Sequence, residues 1–276
     1  MLSWEWAGIL EYAKIAFTLV FLARFSIEDY RRREVEDPEV YAYVAGSAVF
    51  YALSTMIVVS NLPPAYAAVF TALSLTIAPA LFTLLYVKGL MGLGDVYVAT
   101  GLSLSFTYPV LFNETGLPGT PVLTPPIILI ILYACASIII YSIGKALYVA
   151  ARHRDLLKGL RPVEKILLPI IAKPMAIEEY LRSRFFYPLT IIEEEGGVVK
   201  QRIRLSYDVE KEDYREHQAR LKALVEKGVV KPETRIWVSH GIPFLTLILL
   251  GFTIFIVLGD KPLAMTIQNL ARVSPV

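Results

Sequence analysis

At 276 residues, 55% hydrophobic content and a mean hydropathy of +0.54, the chain is too apolar for an ordinary soluble domain and reads as an integral membrane protein. A net charge of +2 indicates no general attraction to nucleic acid. The single cysteine, Cys135, lies in an apolar run and excludes an internal disulfide, a CxxC redox pair and any multi-cysteine zinc site.

A bilayer core requires roughly 20 apolar residues per helix. Six stretches qualify or nearly do: about residues 6–25, 40–60, 66–87, 96–112, 127–151 and 242–258. The first follows Trp4-Glu5-Trp6 without a basic region, so no cleavable signal peptide is expected. Arg24, Arg31, Arg32 and Arg33 close the first stretch, Lys88 follows the third, and Lys145, Arg152 and Arg154 close the fifth. The opposite loops, residues 61–65 and 113–126, contain no Lys or Arg. The positive-inside rule then predicts a multi-pass cell-membrane protein with its N-terminus outside. Lys261 and Arg272 in the tail, predicted outside, are a mild exception.

Residues 152–239 carry eighteen Lys or Arg against fourteen acids and must sit in water, here the cytoplasm. The division expected is therefore 1–151 (five membrane helices), 152–239 (a soluble α+β insert) and 240–276 (a sixth helix and tail). The fold class is a mainly α, six-helix membrane bundle. Within the insert, residues 185–193 and 198–207 alternate apolar and polar around Gly196-Gly197, the pattern of a β-hairpin. Residues 210–227 place Tyr214, Leu221, Leu224 and Val225 on one stripe and end at Gly228, the pattern of an amphipathic helix with a glycine cap. Residues 234–239 fit a further strand.

Two acidic signatures stand where membrane helices meet the positively charged face. They are Glu28-Asp29-Tyr30-Arg31-Arg32-Arg33 after the first stretch and Gly92-Leu93-Gly94-Asp95 opening the fourth. An aspartate at that depth is costly and usually functional. Two that converge across a bundle suggest an aspartyl protease, in which one carboxylate activates water while a protonated partner polarises the scissile carbonyl. Gly92 and Gly94 permit close backbone approach, and Asp95 stands where a helix N-terminus favours negative charge. The competing readings are a plain cap for Asp95 and an arginine-paired interfacial acid for Asp29. Asp37-Pro38-Glu39 reads as an N-cap followed by proline in the first turn. Glu11 and Lys14 share a face of the first helix and are expected to pair toward the bundle. His153, His217 and His240 lack ligand spacing, so no metal site is expected. The aromatic residues fit interfacial belts and helix packing.

Asp29-Tyr30-Arg31-x-Arg33-Glu34-Val35-x-Asp37 combined with Gly92-Leu93-Gly94-Asp95 resembles the type IV prepilin peptidases, specifically their archaeal branch acting on prepilins and pre-archaellins. Ile236-Trp237-Val238-Ser239-x-Gly241-Ile242-Pro243-Phe244, with Gly259-Asp260, is similar to the C-terminal part of archaeal preflagellin peptidases. The resemblance implies Asp29 and Asp95 as the catalytic pair, no metal or organic cofactor, and removal of a short basic leader at the cytoplasmic boundary. With one cysteine and no long loop between its first two helices, the chain resembles the peptidase-only form, without an added N-methyltransferase. Gly-x-Gly-Asp also occurs in presenilin-like and signal-peptide-peptidase-like proteases. Their Pro-Ala-Leu follows that motif, whereas Pro79-Ala80-Leu81 precedes it, so Pro79 reads as a kink in the third helix.

Carboxylates about 4 Å apart repel by roughly 4 kcal/mol at an effective dielectric of about 20. A helix dipole contributes only about 0.3–2 kcal/mol, so the pair is expected to share one proton. Asp29 at a helix C-terminus and Asp95 at an N-terminus would make Asp29 the acid and Asp95 the base. Glu28, Glu34 and Glu36 are candidates for attracting a basic leader, set against a reading as solvated partners of the arginines. A reading from another class is a proton or cation transporter, or an assembly scaffold.

Overall fold

The long apolar runs leave backbone hydrogen bonding no partner in lipid except the segment itself, and they form helices. The computed structural model describes residues 4–32, 35–117, 122–195, 198–208, 212–240 and 243–273. In chain order the first helices are α1 (Ala7–Arg32), α2 (Asp37–Asn61), α3 (Pro64–Val87, with Pro79 inside it), α4 (Leu93–Ser105), α5 (Pro109–Asn113) and α6 (Pro126–Arg152). After them come α7 (Arg154–Leu157), α8 (Pro162–Ile171), β1 (Lys173–Ala176), α9 (Ile177–Arg182), β2 (Phe186–Pro188), β3 (Thr190–Glu195), β4 (Val198–Ile203), α10 (Tyr214–Glu226) and β5 (Arg235–His240). The chain ends in α11 (Phe244–Leu258) and α12 (Lys261–Val273). Residues 1–137 and 243–276 form one compact unit, and residues 138–242 the other.

Among the described residues four helices are long and apolar enough to cross a membrane: Trp4–Arg32 with its leading turn, α2, α3 and α6. The fourth apolar stretch, expected as one helix over 96–112, is divided. α4 has 13 residues, and α5 restarts at Pro109. Pro109 has no N–H to continue the ladder, and it disfavours helical geometry at Tyr108. The hydroxyl of Thr107 donates to Ser103 O at 2.8 Å, taking up one of the carbonyls left at the end of α4. α11, in the sixth stretch, has 15 residues. Helix α2 starts one residue earlier than the cap expected at Asp37. Glu36 O accepts from Glu39 N–H and Val40 N–H at 3.1 and 3.3 Å, so Glu36 takes the N-cap position and Asp37 begins the helix. The tail after Leu258 is helical as α12.

The core of the first unit is aromatic. Phe25, Tyr43, Phe82, Phe106, Phe112, Phe252 and Phe255 are all buried. Small residues let the helices approach, as in membrane bundles generally. A Cβ built on Gly251 of α11 would stand 2.4 Å from Ile130 O and 2.9 Å from Ala134 N of α6, both backbone atoms. Gly251→Leu is therefore expected to force α11 off α6 and to destabilise the bundle by about 1–3 kcal/mol or more, read as a lower unfolding temperature of the detergent-solubilised chain.

The second unit contains a three-stranded antiparallel sheet ordered β1-β5-β2, with Met175 opposite Ile236 and Pro188 opposite Val238. β3 and β4 form a separate two-stranded antiparallel ladder, with Thr190 opposite Ile203. The expected hairpin is present in β3 and β4, while its Gly196-Gly197 turn lies outside the described residues. Its first arm is shorter than expected, because residues 186–188 belong to the other sheet. The chain passes between sheets at Leu189, whose N–H donates to Trp237 O at 2.7 Å and whose O accepts from Arg204 N–H at 2.9 Å. Asp213 caps α10 by accepting from Arg215 N–H at 2.8 Å, and Gly228 follows the helix at φ +71°, the glycine termination expected there. Of the expected start at residue 210, residues 209–211 lie outside the described residues. β5 occupies 235–240, close to the strand expected at 234–239.

Candidate active site

Asp29 lies in the last turn of α1 and Asp95 in the first turn of α4, and both are half-buried. The structure brings them close enough that the charge of Asp29 acts on Asp95. Asp95 Oδ2 accepts from Gly92 N–H at 3.1 Å, closing the first turn of α4 back on its own N-cap. Asp29 Oδ2 accepts from Leu245 N–H at 3.1 Å, in the first turn of α11. One turn before Asp29, Ser26 donates to Leu245 O at 3.1 Å, and Thr246 donates to Ser26 O at 3.5 Å. The end of α1 is thus fastened to the start of α11, and the starts of α4 and α11 both bring N–H donors to the carboxylates.

This geometry weakens the dipole argument for the expected division of labour. Asp29 ends its own helix but also sits at the N-terminus of another, so both aspartates accept a hydrogen bond at a positive helix end. The asymmetry that would make Asp29 the acid and Asp95 the base is thereby reduced, since Asp29 meets one negative and one positive helix end and Asp95 only a positive one. What the site can do chemically is hold two interacting carboxyls around one proton at the edge of an apolar bundle, the equipment of general acid–base catalysis on water.

Gly92 and Gly94 are expected to permit close backbone approach, and among the described residues no such approach is made to either. Among the described residues a Cβ on Gly94 meets nothing within 4 Å, and one on Gly92 meets only Asp95 Oδ2 at 3.9 Å. Neither has the positive φ that demands glycine. The space beside Gly94 is open, and its use by a bound peptide gives a separable outcome. Gly94→Ala is expected to leave thermal stability unchanged or raise it by about 0.5–1 kcal/mol, because alanine is the better helix former, while peptide cleavage falls. Unchanged cleavage would show that this space is not used.

The candidate leader-binding acids are distributed less simply. Glu28 lies 3.6 Å from Arg24 Nε, and Glu36 lies 3.6 Å from Arg32 Nη1. Arg24 also pairs with Glu39, tying α1 to α2. Two of the three acids therefore have arginine partners, and Glu34 lies outside the described residues. Glu11 and Lys14 pair as expected, both 1% exposed, and Lys14 Nζ also donates to Ser54 Oγ at 3.1 Å. The histidines are separate: His153 contacts Arg235, His217 contacts Glu212, and His240 packs on Phe186. Among the described residues no group of three or more His, Cys, Asp or Glu is arranged to hold a metal ion.

Leu245, Ser26 and Thr246 were not singled out from the sequence. Their only signal was the Gly241-Ile242-Pro243-Phe244 stretch just before Leu245, which says that a helix begins there but not what it begins against.

Two family models match the chain. The type IV leader peptidase family, Peptidase_A24, matches residues 16–143, a span that contains both aspartates and both glycines. The archaeal peptidase A24 C-terminus, type II, matches residues 164–261, a span that contains the sheet region and all of α11. Comparison with curated proteins finds no match.

Proposed function

The chain belongs to the type IV leader peptidase family, in its archaeal branch, and from that premise we propose that it is a membrane-embedded aspartyl endopeptidase. Its substrates in this reading are prepilin or pre-archaellin precursors, cut between a short basic leader and an apolar helix at the cytoplasmic boundary. The observation that carries the reading is that Asp29 and Asp95, 66 positions apart in the sequence, lie near enough for the charge of one to act on the other, with Asp29 bound to the first turn of α11.

In this mechanism the pair shares one proton. The ionised carboxylate takes a proton from water as the water oxygen attacks the scissile carbonyl carbon, and the protonated carboxyl donates to the carbonyl oxygen. Collapse of the tetrahedral intermediate breaks the C–N bond, with proton transfer to the departing amine. No metal or organic cofactor enters these steps. Two features support a membrane bundle around the pair. The four long helices supply spans, and we assign α4 with α5, and α11, as the short fourth and sixth segments of a six-segment bundle. The arginines after α1 and the basic residues after α6 support a cytoplasmic location for the site and the insert.

Incubation of the purified chain with a panel of precursor proteins, with cleavage positions read by mass spectrometry, tests the reading. A single cut between the basic leader and the apolar helix is expected. Cleavage confined to the interior of the apolar helix would favour a presenilin-like activity instead, and no cleavage of any precursor would overturn the assignment.

A further inference from the structure

The surface of the second unit carries a feature that the proposed carboxylate chemistry leaves unexplained. α8 is amphipathic in an unusual way, because it has an apolar stripe on each of two sides. Leu168 and Pro169 are buried, with Leu168 in the same apolar cluster as Val149 of α6 and Ala172, Leu189 and Trp237 of the sheet region. Ser239 of β5 also donates to Ile171 O at 2.8 Å, so the end of α8 is fixed to the sheet. The other stripe faces out: Val163, Ile166 and Leu167 are 58%, 66% and 36% exposed. Positions 163, 166, 167 and 170 have the i, i+3, i+4, i+7 spacing of one helix face, so this is a continuous apolar strip.

Its place in the fold says what covers it. The strip lies on a helix packed against Val149, one turn before α6 ends at Arg152, and α6 is long and apolar enough to cross a bilayer. Ile139, Ile140, Ile143 and Leu147 of the same unit are more than half exposed, as lipid-facing positions are. The strip is therefore held at the level where α6 leaves the hydrocarbon. The connecting segment is basic: residues 152–165 contain Arg152, Arg154, Lys158, Arg161 and Lys165 against Asp155 and Glu164. An apolar helix face bordered by cations at the depth of a bilayer surface matches an interfacial helix, and juxtamembrane Lys and Arg attract anionic headgroups.

We infer that α8 is an interfacial anchor that inserts Val163, Ile166 and Leu167 into a leaflet of anionic lipid and holds the sheet region against the membrane surface. The shared cluster with Val149 makes the docking rigid, because α8 cannot turn without breaking the packing of Leu168.

The full chain, with Cys135 replaced by Ser, tests this after single Val163→Cys, Ile166→Cys, Leu167→Cys and Lys165→Cys substitutions and attachment of an environment-sensitive fluorophore. All four positions are exposed, so the core is left intact. In vesicles of phosphatidylcholine with about 30% phosphatidylglycerol, labels at 163, 166 and 167 are expected to be quenched by spin-labelled acyl chains about threefold more than the label at 165. Equal access of aqueous iodide to all four labels would overturn the proposal. So would shielding that grows with the protein-to-lipid ratio, which would identify a second copy as the occupant. Shielding unchanged in phosphatidylcholine alone would remove the recognition of anionic lipid.

Discussion

Asp29→Asn and Asp95→Asn are each expected to lower the rate of precursor cleavage by about 10³-fold or more while leaving the bundle folded. The fold survives because asparagine keeps the shape and the acceptor. Its carbonyl oxygen can still take the Leu245 N–H at position 29 and the Gly92 N–H at position 95, so the junctions of α1 with α11 and of α4 with its own cap persist. What is lost is the shared proton. An amide can neither accept a proton from attacking water nor deliver one to the carbonyl oxygen, and either deficit stops the same step. The double variant is accordingly expected to be no worse than either single one, the non-additivity of groups that act as a unit. Asp37→Asn, in the first turn of α2, serves as a control and should cleave at the rate of the parent. Full cleavage by either single variant, with unfolding temperature unchanged, would reject the pair.

Much of this was legible in the sequence because the relevant signals are local. Long apolar runs announce membrane helices, and the two acidic signatures pick out the two carboxyls that carry the proposed chemistry, set against their readings as a cap and an arginine-paired acid. Other features depended on contacts that no window of sequence contains. The break at residues 106–108 was hidden because Phe106, Thr107 and Tyr108 keep the hydropathy high, and only Pro109 marks the interruption. The strand exchange at Leu189 was hidden because residues 185–193 alternate as a single strand would, although their partners come from two different sheets. The amphipathic α12 sits in a segment read simply as a tail. At the site, position 29 ends a helix by any sequence rule, yet the donor it meets is 216 positions away. That one contact offsets the dipole argument about which acid holds the proton, and nothing near Asp29 in the sequence foretells it.

Lys14→Ala is expected to destabilise the bundle by about 3–5 kcal/mol, an effect on the fold as large as the aspartate effect on the chemistry. Lys14 and Glu11 lie one turn apart on α1, face inward, and are both almost wholly enclosed. Lys14 also donates to Ser54 of α2 and lies 5.5 Å from the centre of the Phe106 ring, just beyond the end of α4. The ammonium therefore links three parts of the bundle at the point where the fourth apolar stretch breaks. Removing it leaves the Glu11 carboxylate buried without its counter-ion, and removing Glu11 strands the ammonium in the same way. Replacing both, as Glu11→Leu with Lys14→Met, fills the same volume with apolar groups and is expected to restore stability to the parent value or above it, because neither charge must then be desolvated. Thermal unfolding in detergent of the parent, Glu11→Leu, Lys14→Met and the double variant gives the double-mutant cycle, whose coupling energy is the pairing itself. A loss of less than about 1 kcal/mol in Lys14→Ala would show that water or lipid headgroups reach the site and that the pair is not enclosed. If the double variant is stable yet cleaves at the parent rate, the pair sets only the packing of α1 against α2. If it is stable but slow, the pair also positions the end of α1 that carries Asp29.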